Sequence, residues 1–209
     1  MEKPLSQRPA PDTAARERLV MAAIGLFTRK GYAATSVREI VEAARVTKPV
    51  LYYHFKSKEG IYLETLRETM EEFEALLETL APSAEPADFQ VQRFCGEVFE
   101  LFLKRIDVVR LVHSIMYGPP QGAPPFDFHA AHDRMVESIR GLIRLGVARR
   151  EFRDGNEEGM TLAVLGAFNV VYELRMIHPE RGVGRDALDW ALDVVFRGMK
   201  RAEIRQERR

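Results

Sequence analysis

The chain has 209 residues, 46% of them apolar, enough for a substantial core in one or two domains. Thirty-one basic residues balance thirty-one acidic ones, which excludes a uniformly basic nucleic-acid binder, and a single cysteine, Cys95, excludes an intramolecular disulfide or a paired-cysteine zinc site. No run of eighteen apolar residues is present and the N-terminal residues lack the apolar core of a signal peptide, so no membrane span is expected and the expected compartment is the cytoplasm.

The neutral total hides a gradient. Residues 1–60 carry eleven basic against six acidic side chains, residues 61–196 fourteen against twenty-three, and residues 197–209 six against two. A basic head on an acidic body predicts that the head meets a polyanion while the body has another task.

Residues 1–11, with Pro4, Pro9 and Pro11 and few apolar side chains, read as a flexible arm. From there the apolar periodicity is helical throughout. A first helix is predicted over about Thr13–Lys30, capped by Asp12 and ended by Gly31, with Leu19, Ala23, Leu26 and Phe27 facing inward. A short second helix starts at Ser36, because Ser36 and Glu39 have the spacing of a capping box, and it buries Val37, Ile40, Val41 and Ala44. Thr47 is placed to cap a third, with Pro49 in its first turn and Leu51 and Phe55 pointing inward. Ser57 then caps a long helix to about Leu80, roughly 34 Å in length at about 1.5 Å per residue. Its seam is Leu66, Met70, Phe73, Leu77 and Leu80.

Two short helices about a four-residue turn, braced by a third, make a helix-turn-helix. The N-terminal end of its second helix enters the major groove, which brings Lys48, Tyr52 and Tyr53 near the bases once Leu51 and Phe55 turn inward. Arg38 also reaches toward the groove, and the helix starts at Ser36 and Lys58 offer N–H groups to phosphates at either flank.

The stretch 31–63, GYAATSVREIVEAARVTKPVLYYHFKSKEGIYL, closely resembles the DNA-binding signature of the tetracycline-repressor (TetR) family. The matching positions include Gly31-Tyr32, Thr35-Ser36-Val37, Ile40, Val46, Leu51-Tyr52-Tyr53-His54-Phe55 and Ser57-Lys58-Glu59. The match spans about residues 12–63; residues 64–209 resemble the family in helical layout and length alone. The resemblance implies a homodimeric one-component transcription regulator, usually a repressor released from a palindromic operator on double-stranded DNA by a small effector, with no cofactor and no catalysis. It implies that Arg38, Lys48, Pro49, Val50 and Tyr52 approach bases, and that Thr35, Ser36, Tyr53, His54 and Lys58 meet phosphates. Thr47 lies among them at the start of the recognition helix. One position departs from the pattern: Arg45 stands in the turn where the family usually has Gly, either altering the turn or adding a phosphate contact.

Beyond Pro86, helices are predicted over about 88–104, 107–117, 127–150, 156–178 and 185–204, with the loop GPPQGAPP at 118–125. The last two are apolar on nearly all sides, which predicts burial on more than one face and a self-association interface. Val164, Phe168, Val171, Leu188, Trp190, Leu192, Val195, Phe196 and Met199 are its candidates, in a paired four-helix bundle about a two-fold axis.

A small-molecule site is expected where adaptable and polar side chains gather. His113, Met116 and Tyr117 share one helix face, Phe126, His129, His132 and Met135 follow the loop, and Phe168, Asn169, Tyr172, Glu173 and Met176 lie on the apolar helix. An apolar or aromatic effector fits this composition. Asn169 and Glu173 alternatively fix dimer register, and His113, His129 and His132 alternatively hold a metal, although solvent-exposed histidines are the more frequent case. No metal site is assigned.

The fold expected is all-α: a helix-turn-helix domain over 12–57, joined by the long helix to an effector-binding and dimerisation domain over 58–209. Two other classes compete with a ligand-responsive repressor. One is a nucleoid or division factor without effector, the other a metal-dependent helical enzyme built on the three histidines.

Overall fold

The computed structural model describes residues 11–80, 82–120 and 122–201. Nearly all of the expected arm, and the tail beyond residue 201, lie outside the described residues. Among those described there are nine α-helices and no strand. They are α1 (Pro11–Lys30), α2 (Val37–Ala44), α3 (Lys48–Phe55), α4 (Lys58–Thr79), α5 (Ala87–Lys104), α6 (Ile106–Tyr117), α7 (His129–Ala148), α8 (Glu157–Ile177) and α9 (Arg185–Met199), with a 3₁₀ turn at Pro179–Arg181.

Two compact units emerge. One takes the chain as far as Glu71 and returns for Asp107–Phe126; the other holds Glu72–Ile106 and the chain from Asp127 onward. Helix α4 therefore begins in the first unit and ends in the second.

In the first unit α1, α2, α3 and the start of α4 enclose Leu19, Ala23, Phe27, Ile40, Leu51, Phe55, Ile61 and Leu66, all buried. Apart from Ile61, these are inward positions that helical spacing assigns to the head, whereas Leu26 and Val37, also expected inside, are half-buried. Aromatic edges add to the packing: Tyr62 lies edge-on to Phe27 and Tyr32, with centroids 5.7 and 5.1 Å away. Burial pushes the Tyr62 phenol up to about 12. Arg16 bridges α1 to Glu64 and Glu68, one turn apart on α4, while its guanidinium lies 5.2 Å over the Phe55 ring.

In the second unit α5, α7, α8 and α9 share one core, with Val91, Phe94, Cys95, Val98, Phe99, Ile139, Ile143, Phe168, Leu188 and Leu192 inside it. Gly146 is where α7 passes close to neighbouring chain, because a Cβ there would collide with the Phe152 ring and with Ala87. Ion pairs tie the surface: Arg105 and Lys104 meet Glu72, and Arg134 meets Glu74.

Helix α8 is long and apolar enough to cross a membrane by length and composition. Its Val164, Leu165, Phe168 and Val171 are packed into the core of the second unit.

Two boundaries and one cap differ from expectation. Helix α1 begins at Pro11, since proline's fixed φ suits the first helical position, so Asp12 stands inside the helix and not before it. Thr47 starts α3 in extended conformation without a side-chain cap. Helix α9 ends at Met199, five residues early, because Lys200 becomes extended and forms an antiparallel bridge with Phe152.

Candidate nucleic-acid interface

The head's corner is built by local chemistry. At the start of α2, the Ser36 N–H donates to Glu39 Oε2 (2.9 Å) and the Glu39 N–H donates to Ser36 Oγ (3.3 Å), the capping box read from the sequence. Lys30 Nζ donates to the other carboxylate oxygen at 2.5 Å. With Lys30 first and Ser36 next as donors, the Glu39 carboxyl is held down to about 2. The Ser36 hydroxyl is thus engaged by the cap.

Helix α2 ends with Arg45 in the left-handed region (φ 54°, ψ 48°). Its N–H donates to the Glu42 carbonyl, and the Val46 N–H reaches back to the Val41 carbonyl at 3.0 Å. This pair of bonds is a Schellman closure, the conformation for which glycine is favoured, and Arg45 adopts it as a non-glycine residue. Arg18 of α1 donates its Nε–H to the Ala44 carbonyl, anchoring the same end.

Helix α3 is pinned by Leu51 and Phe55, and the opposite face is turned outward. Thr47, Lys48, Pro49, Tyr52 and Tyr53 are exposed, Tyr53 to 74%, and Val50 and His54 are half-buried. Tyr53 lies edge-on to His54 with centroids 5.0 Å apart. Arg38 is exposed on α2, 3.3 Å from Glu42 one turn on. A cation beside two phenols at the open end of a short helix suits a duplex groove: the charge answers phosphate, and the phenols supply flat apolar bodies with polar tips.

Two expected phosphate partners are placed differently. Thr35 is buried, its hydroxyl donating to the Gly31 carbonyl at 2.8 Å. Lys58 donates to the carbonyls of Tyr32 and Thr35, each at 2.9 Å, with its ammonium 4.1 Å over the Tyr32 ring. Desolvation, with Lys30 nearby, lowers its pKa. Its long stem folds back because the α1–α2 connection presents two carbonyls that need a donor. Lys58 locks the head internally.

Spacing places the α3–α4 corner and its Ser57 cap, but not the backbone form of the turn. Lys56 has φ 63° and ψ −31°, and the Ser57 N–H donates across it to the Phe55 carbonyl at 2.7 Å, a one-residue reversal of the positive-φ kind. Ser57 Oγ then accepts from the Gly60 N–H at 2.9 Å. Gly60 is required by this turn, because a Cβ would collide with the Phe55 carbonyl oxygen. In the sequence the turn shows as the Ser57 cap position inside the hydrophilic run KSKEG.

The residues expected to meet an effector fall into two sets. In the first unit His113 lies tilted against Tyr117 (centroids 4.7 Å apart), Met116 and Tyr117 are exposed and Phe126 is half-buried. In the second, Met135, Phe168 and Met176 are buried, and Tyr172 packs against Phe168 and Phe102 at 6.2 and 5.6 Å. Asn169 and Glu173 are exposed, on the outward side of α8 with Val170 and Ile177, away from the core. His129 and His132 are exposed, His132 lying 3.6 Å from Asp133. Among the described residues no three potential ligands converge as a metal cluster.

The candidates for self-association also divide. Val164, Phe168, Val171, Leu188, Leu192, Phe196 and Met199 are buried in the unit's own core, because α5 and α7 cover that side of α8 and α9. Trp190 is 72% exposed and Val195 half-buried. The outward face also carries Leu162, Val170, Ile177 and Val194, all exposed.

Known proteins resemble this chain in sequence and in fold. The profile described as "Bacterial regulatory proteins, tetR family" matches residues 19–65. The HTH-type transcriptional repressor KstR2 of Mycolicibacterium smegmatis is 34% identical over 160 residues, covering 69% of this chain and 73% of that protein. The HTH-type regulator YerO of Bacillus subtilis is 32% identical over 101 residues, covering 46% of this chain and only 34% of its own length. Among solved structures, the regulator PfmR of Thermus thermophilus superposes with a TM-score of 0.69 at 26% identity, over 90% of this chain and 98% of that one.

Proposed function

The chain belongs to the TetR family of bacterial regulatory proteins, DNA-binding transcription regulators that are not enzymes, and on that premise we propose that it is a cytoplasmic homodimeric repressor. It reads a palindromic operator through the N-terminal end of α3, and a small, largely apolar effector releases it. The observation that carries the reading is the exposed α3 face of Lys48, Pro49, Tyr52 and Tyr53, held rigid from behind by buried Leu51 and Phe55. Arg38 and Arg45 flank it as further DNA contacts, with Thr47, Val50 and His54 along its edge.

The outward apolar face of α8 and α9 supports a dimer. Exposed Leu162, Val170, Ile177, Trp190 and Val194 on adjacent helices form a surface that a second copy would cover. Met135, Phe168, Tyr172 and Met176 support an apolar effector in the second unit, where Phe168 meets the rings of Phe99, Phe102 and Tyr172, and Phe102 meets Tyr172. Helix α4 is the shared element through which effector occupancy would shift the heads, and the shift is limited to the effector's differential affinity for the two arrangements.

Selection of bound duplexes from a random pool tests this. A palindrome bound by a dimer, with affinity falling steeply as salt rises, is expected. Sequence-blind binding by a monomer would overturn the reading.

A further inference from the structure

The outward face of α8 and α9 has a protrusion at one end and a hollow at the other. The protrusion is Trp190, 72% exposed in the first half of α9. The hollow is a cavity of about 450 Å³ where the start of α8 meets the end of α9. Met160 and Met199, both buried, form its floor, and Gly159, Ala163, Val194 and Gly198 are among its walls. At Gly198 an added Cβ would meet nothing within 4 Å, so the space is open where a side chain would otherwise stand.

The two features are about 12 Å apart along α9, eight residues at about 1.5 Å each. An isologous contact exchanges the ends of a shared face: whatever a residue touches on the partner, the partner's counterpart touches in return. A two-fold axis passing near Val194, midway between Trp190 and Gly198 and itself 50% exposed, carries each indole to the hollow of the other copy.

Net charge favours the same arrangement. On α9 Asp186, Asp189 and Asp193 outnumber Arg185 around Trp190, whereas Arg153, Arg197, Lys200 and Arg201 outnumber Asp154 around the hollow; most are paired within the protomer (Arg185–Asp189, Asp193–Arg197, Lys200–Asp88, Arg201–Asp154), so only the net difference between the two ends counts. Antiparallel apposition sets the acidic end against the basic end, while parallel apposition sets like against like. Exposed charges of this kind choose register and orientation more than they add affinity.

We propose that Trp190 of each protomer seats in the Met160–Met199 cavity of a second copy of this chain, making the indole the anchor of the homodimer. The inference rests on the homodimer reading given above. An indole buries about 150–250 Å² of surface when enclosed, and buried aromatic anchors of this type dominate interface energetics.

The chain has one tryptophan, so its intrinsic fluorescence reports this contact alone. The full-length protein is followed by sedimentation and by acrylamide quenching across a dilution series. In the dimer the indole is shielded and its emission blue-shifted; on dilution to monomer both revert together. Trp190→Ala and Gly198→Leu each raise the dimer dissociation constant about thirtyfold or more. A Cβ at Gly198 meets nothing within 4 Å inside the protomer, so Gly198→Leu begins in open space, and an unchanged far-UV circular dichroism spectrum checks that its fold is retained. A protein that stays monomeric at every concentration contradicts the homodimer reading itself. A dimer with a freely quenched indole, or one whose dissociation constant Gly198→Leu leaves unchanged, overturns the seat while the dimer stands.

Discussion

Gly60→Ala is the most informative single change in the head. Alanine is ordinarily the better helix former by about 1 kcal/mol, so a surface helix should gain from it. At Gly60 the new methyl runs into the Phe55 carbonyl oxygen, and that oxygen already accepts from the Ser57 N–H at 2.7 Å. Neither side yields cheaply: Phe55 and Leu51 are buried, and Ile61, next after Gly60, is wholly enclosed. Overpacking of this kind costs about 1–3 kcal/mol, and a methyl driven against a backbone oxygen belongs at the upper end, so subtracting the propensity gain leaves about 2 kcal/mol of net destabilisation. For a chain of this length that lowers Tm by about 4–8 °C. Gly141→Ala is the control, since Gly141 is an exposed position inside α7 where a Cβ meets nothing within 4 Å. It should stabilise by up to about 1 kcal/mol. Thermal and urea unfolding of both variants, with DNA affinity measured alongside, reads the difference. Opposite signs are expected, with weaker DNA binding only for Gly60→Ala. A Gly60→Ala protein as stable as the parent would refute the close approach and the rigid corner derived from it.

Three further outcomes are expected. Arg45→Gly should raise stability by about 1 kcal/mol, because it removes a Cβ from a left-handed residue while keeping the Schellman bonds; an unchanged or lower Tm would show that the Arg45 side chain contributes more than the strain it carries. The Glu39 carboxyl is depressed to about 2, so its contribution is fully present above the ordinary carboxylate value and fades as pH falls from there toward 2. A carboxyl-carbon NMR titration should place its midpoint near 2, and a midpoint at the ordinary value would remove Lys30 and Ser36 as its donors. The Cys95 thiol is fully buried and burial pushes it up to about 12, so it should resist alkylation at pH 8 until the protein unfolds; stoichiometric labelling of the native state would contradict its burial.

Much of the head is legible from spacing. The Ser36–Glu39 capping box, the inward pair Leu51 and Phe55 and the α4 seam through Leu66 and Phe73 all follow from one-turn periodicity, and each is where that rule puts it. Periodicity says which side of a helix is apolar, but not what covers it. On α8, apolar residues surround the axis, so nothing in the sequence separates Val164 and Phe168, which face the core, from Leu162 and Val170, which face outward. The same ambiguity draws Asn169 and Glu173 into an expected effector site, though both lie on the outward side. Lys58 illustrates a second limit. Its position at a helix start suggests a phosphate contact, but the carbonyls of Tyr32 and Thr35 that claim its ammonium come from residues more than twenty positions earlier. The end of α9 is likewise set at long range, by Phe152 pairing with Lys200: Gly198 lies inside the helix, and neither Gly nor Pro follows Met199 as a stop.

The central claim is that the N-terminal end of α3 reads DNA sequence. Duplex selection repeated with Lys48→Ala tests it most directly. If Lys48 meets a base edge, the selected motif should lose its preference at one symmetric pair of positions, and the original operator should bind about 1–3 kcal/mol more weakly. An unaltered motif bound with unaltered affinity would contradict the claim and place sequence reading elsewhere on the head.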